Sequence, residues 1–292
     1  RVYGNPALLS IYLLDITLVR FPRAGSGEDW AEKIAAELAE AIGLPHAEYE
    51  LASVLGKRAT LSRRFLQGNA NLVLGNELLV DLIPGYGPVR SRYRVSKHTL
   101  GVVFAVVGLD RVRVPMGWQP IPFVSNAAEV FVGYLMLDAW ISNTDRHHEN
   151  WGLIGITTST DEPIAIHLAP TYDHASSLGC HERDERRRRH LGVDPRVTVE
   201  RYCERAYSAL YLNEDDNRPL TTLDAFRKAA QQLHPAAGRA WLDALSGVSD
   251  SDAATIVGRI PATRMSPAAV EFAQRMLSIN RYRLLSIRSE LP

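Results

Sequence analysis

Two short polar stretches decide the fold and the chemistry of this chain: NTDRHHEN at residues 143–150 and, after a predicted hairpin, YDH at residues 172–174. Asp145 and Asn150 are five residues apart on one loop, and Asp173 follows on a second loop. Phosphoryl transfer needs a carboxylate near the attacking hydroxyl and oxygen ligands for the magnesium that bridges the phosphates. Carboxylate and amide oxygens are hard donors that suit magnesium. The pattern therefore indicates a phosphoryl-transfer site.

The histidines of the two stretches have secondary roles in this interpretation. Histidine is a poor ligand for magnesium, which prefers oxygen. We therefore assign His147 to ordering the loop or contacting the phosphates, and we keep His148 and His174 as weaker candidates.

The segments around the first stretch have clear patterns. Residues 127–141 are apolar almost all round, which predicts a helix buried in the core of the larger part of the molecule. Residues 142–150 are polar and predict a loop. Two short apolar runs follow, at 151–156 and 164–168, and the turn-rich linker between them is typical of a hairpin.

The first seventy residues predict a strand, a helix and a strand pair. Residues 8–21 are dense in Leu, Ile, Val and Tyr and indicate one or two strands. Between residues 28 and 42 an apolar side chain recurs every four positions, which predicts a helix. Residues 46–55 and 59–66 then indicate a hairpin around Gly56.

The remaining segments predict helices and connecting loops. Gly, Pro and Asn indicate a boundary region at 68–94, and Ser96 can cap a helix that runs to about Val107. Every residue of 181–190 is charged or His, so we expect an exposed loop there. Beyond Val197 the chain is rich in Ala, Leu and Arg with helical spacing around 223–233, 240–245 and 267–287.

Composition narrows the class of protein. Basic and acidic side chains balance at 33 each, so no global charge favours a nucleic acid or a membrane surface as partner. Cys180 and Cys203 lack metal-ligand spacing and cannot form a disulfide framework, so we expect ordinary thiols in a reducing, cytoplasmic compartment. The longest apolar runs are far shorter than the roughly 20 residues of a membrane span.

The two polar stretches resemble the catalytic and metal motifs of HipA-type Ser/Thr kinases, through NTDRHxxN at 143–150 and LAPTYD at 168–173. Similar DRHxxN loops occur in lipid kinases of the phosphatidylinositol type, so the motif indicates a kinase-like site more firmly than a substrate. The resemblance implies ATP and Mg²⁺ as ligands. It implies Asp145 as the catalytic base and Asn150 and Asp173 as the magnesium ligands.

The same resemblance implies a two-lobed α+β fold of the protein-kinase kind. The small, strand-rich lobe with one helix is expected at 1–68, and the larger, mostly helical lobe at 69–292. HipA itself carries an additional N-terminal subdomain, and this chain looks more like the shorter relatives that lack it. An antitoxin-like partner is therefore a candidate that the resemblance does not guarantee.

In the small lobe of that family, a strand Lys contacts the phosphates and pairs with a helix Glu. Arg20 stands at the Lys position here, and Glu32 lies on the next helix, so both are candidate nucleotide-binding residues. Arg is planar and bulkier than Lys, and a bidentate pair with Glu32 would compete with phosphate contact. No convincing Gly-rich phosphate loop precedes Arg20. Order along the chain puts the nucleotide base near 63–66.

The expected acceptor is a protein Ser or Thr, with autophosphorylation as one form of the reaction; neither a membrane nor nucleic acid is indicated. Two other functions stay open. One is a nucleotide-binding pseudokinase that acts as an interaction module, because of Arg20 and the missing Gly-rich loop. The other is a metal-dependent hydrolase that uses the histidines and aspartates, although the sequence has no HExxH and no convincing ligand spacing.

Overall fold

The computed structural model describes residues 16–66, 68–87, 94–156 and 165–292. It has a mixed α+β architecture with two small sheets and many helices, which confirms the predicted fold class. The strands are β1 Ile16–Arg20, β2 Tyr49–Val54, β3 Lys57–Arg63, β4 Ala70–Leu74, β5 Val112–Arg113, β6 Gly152–Ile156 and β7 Ala165–Leu168. The helices are α1 Glu28–Ala41, α2 Gly75–Leu82, α3 Leu100–Val107, α4 Ala127–Ile141, α5 Asp184–Leu191, α6 Val199–Glu204, α7 Thr222–Lys228, α8 Pro235–Ser246, α9 Asp250–Gly258 and α10 Pro267–Ile287.

The first sheet is antiparallel in the order β1-β3-β2. β2 and β3 form the predicted hairpin and turn at Leu55 and Gly56, both of which have positive φ. The predicted strand at residues 8–21 is present as β1 from Ile16 onward, and residues 8–15 lie outside the described ranges. Helix α1 matches the predicted helix to within one residue and buries its apolar face.

Asp29 in the first turn of α1 fixes this helix against the sheet. The carboxylate is buried and accepts a hydrogen bond from Arg58 Nε of β3 at 2.9 Å. Arg264 Nη1, from the segment before α10, donates to the same carboxylate at 2.7 Å. Two cations from distant parts of the chain therefore hold α1 in place, and Glu32 lies one turn further along it.

The second sheet has the strand order β4-β6-β7-β5. β6 and β7 form the predicted antiparallel hairpin, and residues 157–164 between them lie outside the described ranges. The prediction of an irregular boundary region at 68–94 is wrong in part, because β4 and α2 form a regular strand and helix within it. The Gly and Asn residues that suggested a loop lie mostly at the ends of these short elements. The division of the chain into lobes at residue 68 stays a proposal.

Helix α4 is the buried axis of the larger part of the fold, and it begins and ends where the sequence predicts. Asn126 caps it by accepting a hydrogen bond from the backbone N–H of Glu129 at 3.0 Å. At Gly133 the helix lies so close to its neighbours that a Cβ atom would sit 2.5 Å from Trp241 and 2.6 Å from Leu44. No larger residue fits there, so α4 is packed rigidly up to its last turn.

Two helix predictions need correction. Helix α3 begins at Leu100 with Thr99 as its cap, not at Ser96. Residues 184–191 form helix α5 instead of the predicted exposed loop. α5 has no apolar stripe; instead, Arg187 is buried and donates to the carbonyl of Gly179 at 3.0 Å. Acidic residues in its first turn and basic ones in its last turn suit the helix dipole.

Both cysteines are buried and free, as expected for ordinary thiols. Burial raises the pKa of Cys180 and of Cys203 to about 12, so neither is a ready thiolate. Among the residues that the structure describes, no helix is both long and apolar enough to cross a membrane.

Candidate active site

The loop at 142–150 begins where α4 ends. Ser142 has a left-handed conformation, with φ 52°, and its backbone N–H donates to the carbonyl of Asp138. Asn280 of α10 donates from Nδ2 to Ser142 Oγ at 2.8 Å. Contacts with two helices therefore fix the start of the loop.

Arg146 holds the loop together from below. Its side chain is fully buried and forms a bidentate ion pair with Asp138 of α4, with Nε–Oδ2 and Nη2–Oδ1 distances of 2.7 and 2.8 Å. It also donates to the carbonyl of Asn150 at 2.7 Å and to Thr171 Oγ1 at 2.9 Å. Burial by itself would lower the pKa of Arg146, but the carboxylate of Asp138 reverses this and the pKa is raised. The guanidinium therefore stays charged inside the protein.

Asp145 is anchored on both sides by the loop itself. Its backbone N–H donates to Asn143 Oδ1 at 3.2 Å, and its carbonyl accepts from Asn150 Nδ2 at 2.6 Å. Its carboxylate Oδ2 accepts from Ser176 Oγ at 3.3 Å. The side chain keeps 15% of its surface exposed while Oδ1 is buried, so the carboxylate is held in place with a limited opening to solvent.

His147 lies beside that carboxylate. Its Nδ1 accepts a hydrogen bond from the backbone N–H of Glu149 at 3.2 Å, which assigns the ring proton to Nε2. Nε2 is 3.7 Å from Asp145 Oδ1. In this tautomer the ring presents a donor toward the carboxylate and fixes the turn of the loop.

Asp173 lies on the neighbouring segment, residues 171–178, in a left-handed backbone conformation with φ 57°. Such a conformation costs a non-glycine residue on the order of 1–3 kcal/mol. The backbone N–H of Asp173 donates to Tyr49 Oη of β2 at 3.2 Å. The left-handed backbone and the hydrogen bond to Tyr49 of the first sheet fix the position of the Asp173 side chain, which is 27% exposed.

Several hydrogen bonds join this segment to the 142–150 loop. Tyr172 Oη donates to the carbonyl of Glu149 at 3.0 Å. The backbone N–H of Thr144 donates to the carbonyl of Ser176 at 3.3 Å. Together with the bond from Arg146 to Thr171, these contacts make the two polar stretches one continuous site.

Glu32 reaches this site from α1. Its side chain is buried and accepts a hydrogen bond from the backbone N–H of His174 at 2.7 Å. Burial, together with the negative charge of Asp173, raises the pKa of Glu32 to about 8. Glu32 is therefore a buried carboxyl that holds its proton near neutral pH, not a surface member of an amphipathic helix.

Arg20 contacts Asp173 first and Glu32 only distantly. Its Nη1 forms an ion pair with Asp173 Oδ1, whereas the distance to Glu32 Oε2 is 4.0 Å. The bidentate Arg20–Glu32 pair predicted from the sequence is therefore wrong. The guanidinium does lie in the cleft, but the carboxylate that it covers is the one assigned to the metal.

The remaining histidines are part of the packing. Nδ1 of His148 lies 2.8 Å from the hydroxyl of Tyr86, and Nε2 of His174 lies 2.8 Å from Thr171 Oγ1. Burial lowers the pKa of His174 to about 3, so its ring is neutral. Within the described ranges, no group of three or more His, Cys, Asp or Glu side chains is arranged to hold a metal ion.

Asn150 and Asp173 fit a magnesium ion by their chemistry. The amide nitrogen of Asn150 is engaged by the carbonyl of Asp145, so its oxygen lies on the opposite side of the amide group. Asp173 offers a carboxylate that already attracts the cation Arg20. Two hard oxygen donors, completed by water and phosphate, are what magnesium usually takes from a protein.

Two other parts of the predicted nucleotide site can be located only in part. Residues before Ile16, where a Gly-rich loop would precede Arg20, lie outside the described ranges. Phe65, from the segment predicted near the nucleotide base, stacks on Tyr172 with ring centroids 6.1 Å apart. The end of the first sheet therefore does lie next to Asp173.

The fold that surrounds this site is a kinase-like fold. The chain is similar to the structure of the Helicobacter pylori proinflammatory kinase CtkA, with a TM-score of 0.68 and 20% identity over 94% of this chain and 88% of that one. It is also similar to HipA of Shewanella oneidensis in its complex with HipB and operator DNA, with a TM-score of 0.55 and 13% identity over 94% of this chain and 60% of HipA. The resemblance to HipA-type kinases is thus confirmed at the level of the fold. No known family pattern and no curated protein matches the sequence.

Sequence reasoning missed the residues that hold the site in place. Asp138 looked like one member of an apolar helix, and Arg146 was part of the NTDRHxxN motif without an assigned role. A lone carboxylate in an otherwise apolar buried helix is a usable signal, because a buried charge requires a partner. Nothing in the sequence linked Tyr49 to Asp173.

Proposed function

We propose that this protein is an ATP- and magnesium-dependent phosphotransferase that acts on a Ser or Thr of a protein, with autophosphorylation as one form of the reaction. The observation that carries the proposal is the joined pair of loops that presents Asp145, Asn150 and Asp173 on a kinase-like fold. Few other protein groups are needed, since positioning and charge stabilisation supply most of the catalysis of phosphoryl transfer.

In this proposal Asp145 orients the acceptor hydroxyl and takes its proton. His147 holds the loop around that carboxylate, with its Nε2 proton directed to Asp145. Asn150 and Asp173 hold the magnesium, which when bound neutralises charge on the phosphates. The buried ion pair of Asp138 and Arg146 holds the loop that carries these groups against α4.

Arg20 and Glu32 complete the nucleotide site in the proposal. The guanidinium of Arg20 supplies the cation that contacts phosphate, and its ion pair with Asp173 would have to open for that carboxylate to hold magnesium. Glu32 is positioned to receive it, because Glu32 Oε2 is already 4.0 Å from Arg20 Nη1 and a closer guanidinium would lower the raised pKa of this buried carboxyl.

A nucleotide-binding pseudokinase is the second candidate, and one specific observation favours it: the ion pair of Arg20 with Asp173 blocks the metal-binding carboxylate. Binding of ATP without turnover, in the parent protein and in the Arg20→Lys variant alike, would select this alternative.

The proposal extends to location and partners. The buried free cysteines support a cytoplasmic location. The similar HipA structure contains HipB and operator DNA, which motivates a search for an antitoxin-like partner of this chain.

The test is transfer of labelled phosphate from ATP, with magnesium, to proteins of a host lysate and to the protein itself. Asp145→Asn removes the base but keeps the shape of the side chain, so turnover should fall about 10²–10⁴-fold. Asp81→Asn, a change of the same kind on an exposed residue of α2, serves as the control and should leave turnover intact. Retention of turnover in Asp145→Asn to within tenfold would remove that residue from the role of base.

A further inference from the structure

A second feature, separate from the nucleotide site, lies against the same loop. A cavity of about 400 Å³ opens between α5, α6 and the segment that connects them, and Thr144 of the 142–150 loop forms part of its wall. Its lining is strongly basic. It contains Arg186, Arg189, Arg196, Arg201 and Arg205, together with His190 and the single acid Glu182.

Most of this positive charge is not neutralised. In the part of the chain that the structure describes, no carboxylate lies within ion-pair distance of Arg189, Arg201 or Arg205. Arg186 lies 3.4 Å from Glu182, and Arg196 pairs with Asp194 at 3.1 Å. Asp194 also attracts Arg189 and Arg201 at longer range. The five guanidinium groups still outnumber these two carboxylates, so they repel one another unless a further anion joins them. The lining is therefore complementary to a negatively charged group.

The back of the cavity is a packed wall instead of a mobile surface. The rings of His190 and Tyr202 meet edge to face at 5.4 Å, and Tyr202 meets Phe272 of α10 in the same manner at 5.2 Å. His190 Nδ1 also lies 3.1 Å from the carbonyl of Thr198. The backbone that carries the arginine side chains is therefore held in place by this packing. This limits the conformational entropy that the protein loses when a ligand binds.

The position of the cavity relates it to the acceptor and not to the nucleotide. Thr144 directly precedes Asp145, and consecutive Cα atoms are about 3.8 Å apart. An extended peptide advances roughly 3.3–3.6 Å per residue. Because Thr144 lines the cavity, a peptide that places its hydroxyl at Asp145 passes close to it, and a span of roughly 7–14 Å corresponds to a side chain about two to four residues away.

The shape of the charge favours a protein ligand. Nucleic-acid sites form an extended basic stripe that follows a phosphate backbone, whereas these arginines surround one compact cavity on a protein whose total charge is balanced. We propose that the cavity selects acceptor proteins that carry an anionic side chain, a carboxylate or a phosphorylated residue, about two to four positions from the target Ser or Thr. This inference rests on the proposed function and specifies its substrate class.

The experiment uses the full chain and three synthetic peptides with one central Ser. At the positions two to four residues from that Ser, on either side, they carry Gln, Glu or phosphoserine. Binding is measured by fluorescence anisotropy without ATP, and phosphorylation is measured separately. Arg189→Gln tests the cavity. Arg188→Gln is the matched control. Arg188 is the residue before Arg189 on α5, its side chain is 67% exposed, and it does not line the cavity.

The Glu and phosphoserine peptides should bind at least about tenfold more tightly than the Gln peptide, since each guanidinium contact is worth up to about fivefold. Arg189→Gln should lose about fivefold of that preference, and Arg188→Gln should keep it. Comparison of the Glu and phosphoserine peptides identifies which anion the cavity prefers.

Equal binding of the three peptides, or equal loss in the two variants, would overturn the inference. So would a single-stranded RNA that binds more tightly than any peptide with the same dependence on Arg189. Charge-selective binding without phosphorylation would support the cavity's role and count against the proposed kinase activity. Phosphorylation of all three peptides at equal rates and with equal affinity would support the proposed kinase activity and refute the role of the cavity.

Discussion

The buried ion pair beneath the 142–150 loop leads to the sharpest prediction. Asp138→Asn keeps the size of the side chain but removes the charge that Arg146 requires, and it turns an amide N–H₂ toward guanidinium donors. Arg146 is fully buried, so no water can replace the lost carboxylate. Removing one partner of such a pair costs about 3–5 kcal/mol of the free energy of unfolding.

That free energy translates into a measurable melting temperature. Unfolding entropy near the midpoint is about 2.1 cal/mol/K per residue, or on the order of 0.6 kcal/mol/K for this chain. Asp138→Asn should therefore lower Tm by about 5–8 °C in a thermal melt followed by circular dichroism. Asp194→Asn is the control, because it removes a similar two-contact pair with Arg196 whose guanidinium is 83% exposed. An exposed pair is worth up to about 1 kcal/mol, so Tm should change by less than about 2 °C.

A second variant separates stability from function. Replacement of both partners, Asp138→Leu with Arg146→Met, removes the unpaired charge and should recover much of the lost Tm. It should not recover phosphotransfer, because the bonds from Arg146 to Asn150 and Thr171 are gone. Equal Tm values for Asp138→Asn, Asp194→Asn and the parent would refute the reasoning, as would full activity in the double variant.

Three further predictions concern the site and its surroundings. Asn150→Ala and Asp173→Ala should each weaken magnesium-dependent ATP binding in calorimetry, and binding equal to that of the parent would remove both from the metal site. Arg20→Lys should raise phosphotransfer up to about fivefold by releasing Asp173, whereas Arg20→Ala should lower ATP affinity; no change in either variant would exclude Arg20 from phosphate contact. His98 is buried and accepts from Trp151 Nε1 at 3.1 Å, and burial lowers its pKa to about 3. Below about pH 6.5 His98 therefore binds a proton in the unfolded chain but not in the folded chain. As the pH is lowered, the free energy of unfolding should decrease by up to about 1.4 kcal/mol per pH unit. His98→Gln should reduce the slope of Tm between pH 7.5 and 5.

The sequence predicted the parts of the fold that carry their own pattern. Helix α4 was predicted to the residue because its apolar run ends at a polar loop, and α1 and the first hairpin were marked by spacing and by Gly56. The fold class and the kinase-like resemblance followed from two motifs and were confirmed. The roles of Asp145, Asn150 and Asp173 remain predictions, although the geometry now shows how their loops are joined.

The missed elements depend on contacts that a local pattern does not contain. β4 is five residues long and is stabilised by pairing with β6, far away in sequence. α5 is stabilised by the buried Arg187 and by charges that suit its two ends, so hydrophobic spacing gave no sign of it. Glu32 does lie within ion-pair distance of Arg20, but the second partner, Asp173, was missed for the same reason, since it approaches from a distant loop.

The pairing of β4 with β6 also determines when β4 can fold during synthesis. Leu72 pairs with Ile154, so β4 must wait for about 80 further residues before its partner leaves the ribosome. At roughly 5–20 residues per second this delay lasts about 4–16 seconds. During that time the segment ANLVL is an unpaired, apolar strand of the kind that other nascent chains can capture. The sheet that flanks the 142–150 loop thus cannot close until Gly152–Ile156 is made, and slow translation between Leu74 and Gly152 lengthens the exposure of β4.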